Sequence, residues 1–179
     1  MSMSKESLVS VDIEASGPIP VKYSMLSIGA CLVEDLEKCY YAELKPTSKE
    51  YIPAALEMCR LNLSDLEKNG LDPETAMRKF NDWIQTNSGD KTPRFVGFNG
   101  MFDWAFVNYY FIYYLGFNPF GHAGIDIKSY GMGITGKEWS EAQTEKHFDP
   151  ELPYTHNALG DAIRQAKMFR KMLGQNQNK

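Results

Sequence analysis

The sequence predicts an α/β layer fold built on one mixed β-sheet. Three observations lead there. Three strand-like segments follow one another at the start. Short strands then alternate with helical patterns to the end. The chain has 179 residues, 43% hydrophobic and 13% aromatic, enough for one domain with a sizeable core.

LVSVDIEA (8–15) reads as the first strand, MLSIGACLVED (25–35) as the second and KCYYAELKP (38–46) as the third. EDLEK makes the hairpin turn between the last two, so the sheet begins as an antiparallel meander. Residues 53–69 look helical and stop at Asn69-Gly70. LDPETAMRKFNDWIQ is a helix that Asp72 can cap, with Pro73 in its first turn. Ala76, Met77, Phe80, Trp83 and Ile84 form its apolar stripe.

RFVGF is a short strand, and NGMFDWAFVNYYFIYYLG is a helix closed by Gly116. Aromatic residues lie on nearly every side of that helix, so it is buried all round or meets a partner. Tyr109, Tyr113 and Phe117 permit an apolar patch and a homodimer through it. GIDI is a fifth short strand, residues 137–153 a loop or an ill-determined helix, and THNALGDAIRQAKMFRKML the last helix. Residues 1–6 and 174–179 read as flexible ends around a domain at 7–173.

No apolar run approaches a membrane span, and MSMSKES lacks the apolar centre of a signal peptide. A cytoplasmic protein with no membrane partner is the simplest expectation. Cys31, Cys39 and Cys59 fit no metal-ligand or redox spacing and read as reduced core residues. GMGITG lacks the spacing of a phosphate-binding fingerprint. His122 and His147 match no motif and read as surface or loop residues.

One feature of the first strand is anomalous. Val11, Ile13 and Ala15 share its apolar face, which puts Asp12 and Glu14 together on the other. Two bare carboxylates there repel each other and are costly to bury. A divalent cation removes the conflict, and hard oxygen ligands suit Mg²⁺ or Mn²⁺. The alternative is a solvated acidic strand face. Further on, GFNGMFDW places Asp103 in the first turn of a helix. HNALGDA places His156 at a helix entry and Asp161 about a turn inside. Those two, five residues apart, share a face only if His156 reaches in from the entry.

VDIEASGP, NGMFD and HNALGDA, in this order, resemble the three motifs of the DEDD exonuclease superfamily, in its histidine-bearing branch. The resemblance covers residues 7–173. It implies a ribonuclease H-like three-layer fold, with a five-stranded mixed sheet flanked by helices, and a 3′–5′ exonuclease releasing 5′-nucleoside monophosphates. It implies two divalent cations, with Asp12 bridging, Glu14 and Asp161 completing the first, and Asp103 acting mainly through water. His156 becomes the general base. Ala15 and Ser16 stand where the backbone meets the terminal sugar, Asn99 fits the second motif, and Phe102 stands where some members stack an aromatic on a base. Phe98 departs from the pattern, since many members carry His there. NPF at 118–120, followed by Asp126, is similar to RNase T, and Gly121–Ala123 is not.

The formal charge is −4. Setting aside the four motif carboxylates leaves 19 acidic residues against 19 Lys and Arg, a neutral remainder. That disfavours long tracks on a duplex and favours short single-stranded 3′ ends of RNA or DNA. Arg164, Lys167 and Lys171 share one face of the last helix and are expected to meet the strand's phosphates. RNA is favoured over DNA, on the shortness of the chain and the lack of an obvious polymerase-docking segment. The rivals are a DNA-directed exonuclease of proofreading or repair type, a ribonuclease H-type endonuclease, and a non-catalytic scaffold of the same fold.

Overall fold

The computed structural model describes residues 5–139, 148 and 151–176. Strands β1 (Glu6–Ala15), β2 (Met25–Leu32) and β3 (Cys39–Glu43) form the antiparallel meander. β4 (Thr92–Gly97) and β5 (Gly124–Asp126) add in parallel, giving the order β3-β2-β1-β4-β5. Helices α1 (Pro53–Cys59), α2 (Leu63–Asn69), α3 (Pro73–Ser88), α4 (Met101–Leu115), α5 (Ile127–Thr135) and α6 (Ala158–Asn176) complete the fold.

The sheet separates two apolar clusters. Val9, Val11 and Ile13 of β1 pack with Phe80 of α3 and Phe106 and Phe111 of α4 on one face. Cys31, Val33 and Val96 pack with Ile127 of α5 and Ala166, Phe169 and Met172 of α6 on the other. Strand alternation divides β1 between the two. β1 and β4 pair only from Glu6↔Thr92 to Ser10↔Val96. Beyond that point the strands part, and a crevice opens at the C-terminal end of β1.

Three local features differ from the sequence expectation. The helix expected over 53–69 is two helices, because Arg60 turns left-handed (φ 57°) and Asn62 caps a new start, accepting from the Ser64 and Asp65 amides. Helix α5 was not anticipated. Its glycines have weak helix propensity, and Asp126 starts it by accepting from the Ser129 amide at 2.8 Å. The last helix continues to Asn176, past the expected stop at Leu173. Residues 140–147, 149 and 150, which include His147 and most of the expected 137–153 loop, lie outside the described residues. The aromatic helix α4 is buried through Phe106, Tyr110 and Phe111, whereas Ile112, Tyr113 and nearby Phe117 are exposed. No helix among the described residues is long and apolar enough to cross a membrane.

Candidate active site

Asp12 and Glu14 project from β1 on the face turned to α6. Asp12 lies opposite Gly29 of β2 in the antiparallel register. The first turn of α6 crosses directly over Gly29, where a Cβ would stand 2.2 Å from the Ala158 carbonyl carbon. That close approach lets Asp161 reach the strand carboxylates. Ser10 Oγ adds a seam by donating to the Ala162 carbonyl at 2.8 Å. Ligand oxygens of Asp12, Glu14 and Asp161 all lie within 4.8 Å of one another.

The fourth carboxylate arrives from β4. The chain turns sharply at Gly97–Gly100, with Asn99 left-handed (φ 53°), and enters α4. Asp126 Oδ1 accepts from the Gly100 amide at 2.9 Å and steadies that turn. Asp103, in the first turn of α4, is buried, and its Oδ1 accepts from the Ile13 amide at 3.0 Å. Asp103 therefore faces the same crevice but stands outside the group of three.

His156 and Asp161 converge from the helix entry. His156 is exposed and left-handed (φ 51°), and its amide donates to Asp161 Oδ2 at 2.9 Å. The Thr155 amide and hydroxyl donate to Asp161 Oδ1 at 2.9 and 3.2 Å. Asn157 caps α6 by accepting from the Gly160 amide. The Asp161 carboxylate thus holds the His156 loop while facing the acidic group.

All five residues line one cavity of about 470 Å³, together with Phe98, Asn99, Phe102, Tyr154 and Gln165. Burial, then the charges of Asp103, Glu14 and Asp161, raises the Asp12 carboxyl well above the ordinary range. Burial, then Asp161, pushes Glu14 up to about 7. Burial also pushes Asp103 up to about 7, although the Ile13 amide partly relieves it. No Lys or Arg is among the described residues lining the cavity. An acidic, oxygen-only cluster with no Lys or Arg beside it among the described residues fits hard divalent cations.

An apolar cavity of about 380 Å³ adjoins it, lined by Ala15, Ile52, Ala55 and Met58. Glu14 and Phe102 line both cavities, so Phe102 forms the ridge between them. Ser16 is buried, and its hydroxyl is committed to the Glu50 carbonyl and the Ser24 amide. The basic face of the last helix is not one exposed track. Arg164 is buried, donates Nε to the Leu152 carbonyl, and lies 3.7 Å from the Tyr154 ring centre. Its chemistry is that of a brace for the His156 loop. Lys167 is half-buried and Lys171 exposed, and neither lines the cavity.

Gln165, Thr155, Tyr154 and Gly29 were not singled out in the sequence. Gln165 follows Asp161 by four residues, a helix spacing that places both on one face. That was its one readable signal. Gly29 carried none, because its role depends on which helix crosses it.

The 3′–5′ exoribonuclease Rv2179c-like domain family matches residues 7–173. The 3′–5′ DNA exonuclease Cap18 of Escherichia coli is 49% identical over 174 residues, 95% of this chain and 93% of that protein. Among solved structures, the nuclease domain of 3′hExo, a DEDDh family member bound to rAMP, superposes with a TM-score of 0.78 at 15% identity, over 97% of this chain and 94% of that one. Cell-death related nuclease 4 gives 0.75 at 12% identity, and 97% of this chain spans 66% of that longer one. These two likenesses concern the fold. The sequence matches, arriving on a crevice that already gathers Asp12, Glu14, Asp103, His156 and Asp161, establish that this chain belongs to the Rv2179c-like domain family of 3′–5′ exonucleases.

Proposed function

We propose that this chain removes nucleotides one at a time from single-stranded 3′ ends as 5′-nucleoside monophosphates, using two divalent cations, Mg²⁺ or Mn²⁺. The observation that carries the reading is the convergence of three carboxylates within 4.8 Å, the third of them tied to His156.

Two such ions would activate water, polarise the scissile phosphate and neutralise the departing oxygen. Asp12, whose carboxyl feels the charges of the other three acids, would hold the ions together with Glu14 and Asp161. Asp103, with one oxygen committed to Ile13, acts less directly. His156 takes the proton of the attacking water. Imidazole chemistry suits proton transfer near neutral pH, and the tie of its amide to Asp161 anchors the residue beside the acids. Water oxygen bonds to phosphorus, the bond to the 3′-oxygen breaks, and that oxygen leaves as a hydroxyl with a proton from solvent. The apolar cavity and Phe102 receive the terminal nucleoside beside Ala15 and Asn99.

DNA is the first sugar reading, because a relative named for DNA matches at 49% identity over nearly its whole length. RNA is the second, favoured by the family's description as exoribonuclease. Of the expected patch Tyr109, Tyr113 and Phe117, the last two are exposed with Ile112 beside them and Tyr109 is half-buried against the core, and this reduced patch supports a homodimer through α4, which light scattering at micromolar concentration tests.

The deciding experiment is a time course on 5′-labelled single-stranded DNA and RNA of one sequence. It is run with Mg²⁺, Mn²⁺ or EDTA, beside Asp12→Ala. We expect a metal-dependent ladder shortening from the 3′ end, absent in the variant. Cleavage of a circular strand would instead reveal an endonuclease. Binding without cleavage under every metal would favour a scaffold.

A further inference from the structure

We propose that Gln165 is a positioning residue of this active site, its carboxamide serving as the rung that replaces the one lost where β1 and β4 part. The inference rests on the metal-binding reading of the four acids above. Pairing between the two parallel strands ends at Ser10↔Val96. Continued in register, it would set Val11 opposite Gly97. In a parallel ladder the amide of the following residue, Phe98, would then donate to the Val11 carbonyl. Val11 does turn that edge toward β4, since the next residue of the same parity, Ile13, gives its amide to Asp103.

The direct bond is not made. Gln165 stands in its place, buried at 3% exposure. Its Nε2 donates to the Val11 carbonyl at 2.9 Å, and its Oε1 accepts from the Phe98 amide. One side chain thereby satisfies both broken ends and holds them a carboxamide's width apart. Val11 immediately precedes Asp12, Phe98 opens the turn that leads to Asp103, and Asp161 lies one helical turn before Gln165 on α6. The spacer thus connects the three segments that supply the four acids. Its two backbone partners also leave the amide little freedom to flip, because only one orientation matches a carbonyl on one side and an N–H on the other.

Gln165→Met keeps the length and volume while removing both bonds. Metal-free full-length chains are titrated with Mn²⁺ by calorimetry, and kcat and KM are measured on a single-stranded oligonucleotide. Outer-shell partners of metal ligands are typically worth about 10–100-fold, so Mn²⁺ affinity and kcat should each fall by about that factor, with KM changed by less than about threefold. Ser10→Ala is the control. It removes a bond on the same sheet–α6 seam and should lower Tm while leaving Mn²⁺ affinity intact. If Gln165→Met does not fold, Gln165→Asn replaces it, retaining the amide on a stem one methylene too short to reach both strands. Wild-type Mn²⁺ affinity and kcat in a folded Gln165 variant would overturn the inference, whatever its Tm. Absence of Mn²⁺ binding by the wild-type chain would overturn the reading of the whole site, and this inference with it.

Discussion

Asp103 and Ile13 are joined by a 3.0 Å hydrogen bond from the strand amide to the helix carboxylate. The bond spans 90 residues of chain. It fixes the acid of α4 to the strand that bears Asp12 and Glu14, and it satisfies an amide exposed by the parting of β1 and β4. Asp103 is therefore both a structural acceptor and a member of an acidic cluster.

Those two roles separate in Asp103→Asn. The amide oxygen can still accept from Ile13, but the buried charge is gone. Metal-free Asp103→Asn should be more stable than the wild type near pH 8, gaining about 2–4 °C in Tm for each kcal/mol recovered in a chain of this size. Its nuclease activity should fall by about 10–100-fold, the range for a group that supports a metal site less directly. Thermal melts in EDTA and initial rates with Mn²⁺ check both halves. An unchanged rate would remove Asp103 from the site.

The acidic cluster also sets a pH dependence for the metal-free protein. Glu14 and Asp103 titrate at about 7 when folded, and Asp12 is raised as well. Unfolded, such groups titrate near 4. The folded state thus keeps protons that the unfolded state has already released. Metal-free stability is undiminished below about pH 4, as far as these groups are concerned, and declines as pH rises through about 7. In EDTA, Tm should be lower at about pH 8 than at about pH 6, and saturating Mn²⁺ should remove most of that difference by binding the ionised acids. Calorimetry in buffers of different ionisation enthalpy should show protons released on Mn²⁺ binding near pH 6.5 and few near pH 8.5. A flat metal-free Tm across this range would contradict the raised titration of Glu14 and Asp103.

The part of the site that reads from sequence is the part set by local periodicity. Alternation along β1 separates Val11 and Ile13 from Asp12 and Glu14, and the structure keeps that separation. The helix entry at His156 reads equally well, because capping is local. What does not read is whatever depends on two distant segments meeting. Gly29 matters only because α6 crosses it. Gln165 matters only because two strands stop pairing there. Arg164 sits at a spacing that suggests an exposed basic face, yet Leu152 and Tyr154 fold over it. Helix α5 is hidden for another reason: its glycines weaken the propensity signal, and the Asp126 cap is a single residue.

Gly29→Ala tests the close crossing of sheet and helix. The new Cβ would meet backbone atoms of Ala158 and Leu159 at 2.2–2.4 Å, and backbone cannot step aside as a side chain can. α6 must move outward and carry Asp161 with it. Overpacking of this kind costs about 1–3 kcal/mol, and a displacement near 1 Å at the chemistry costs on the order of 100-fold in rate. Gly133→Ala is the matched control, since a Cβ there meets nothing within 4 Å. It should keep full activity and gain roughly 0.5–1 kcal/mol from better helix propensity. Full activity in Gly29→Ala would mean that α6 need not lie so close.

Phe102 tests how the terminal nucleoside is held. The residue is 37% exposed, and its ring packs on Phe106 at 5.3 Å between centroids and separates the acidic cavity from the apolar one. Stacking on an aromatic is worth about 1–3 kcal/mol per base, or roughly 5–150-fold. Phe102→Ala should therefore raise KM by a factor in that range, similarly for all four terminal bases, because every base has a π-face. Phe102→Leu should restore part of the loss through apolar contact alone. An oligonucleotide with an abasic 3′-terminal residue offers no ring to stack. On that substrate the wild type and Phe102→Ala should have nearly equal KM. If the variant lost as much on the abasic strand as on the normal one, Phe102 would be supporting α4 and not the base, and the apolar cavity beside it would need another occupant.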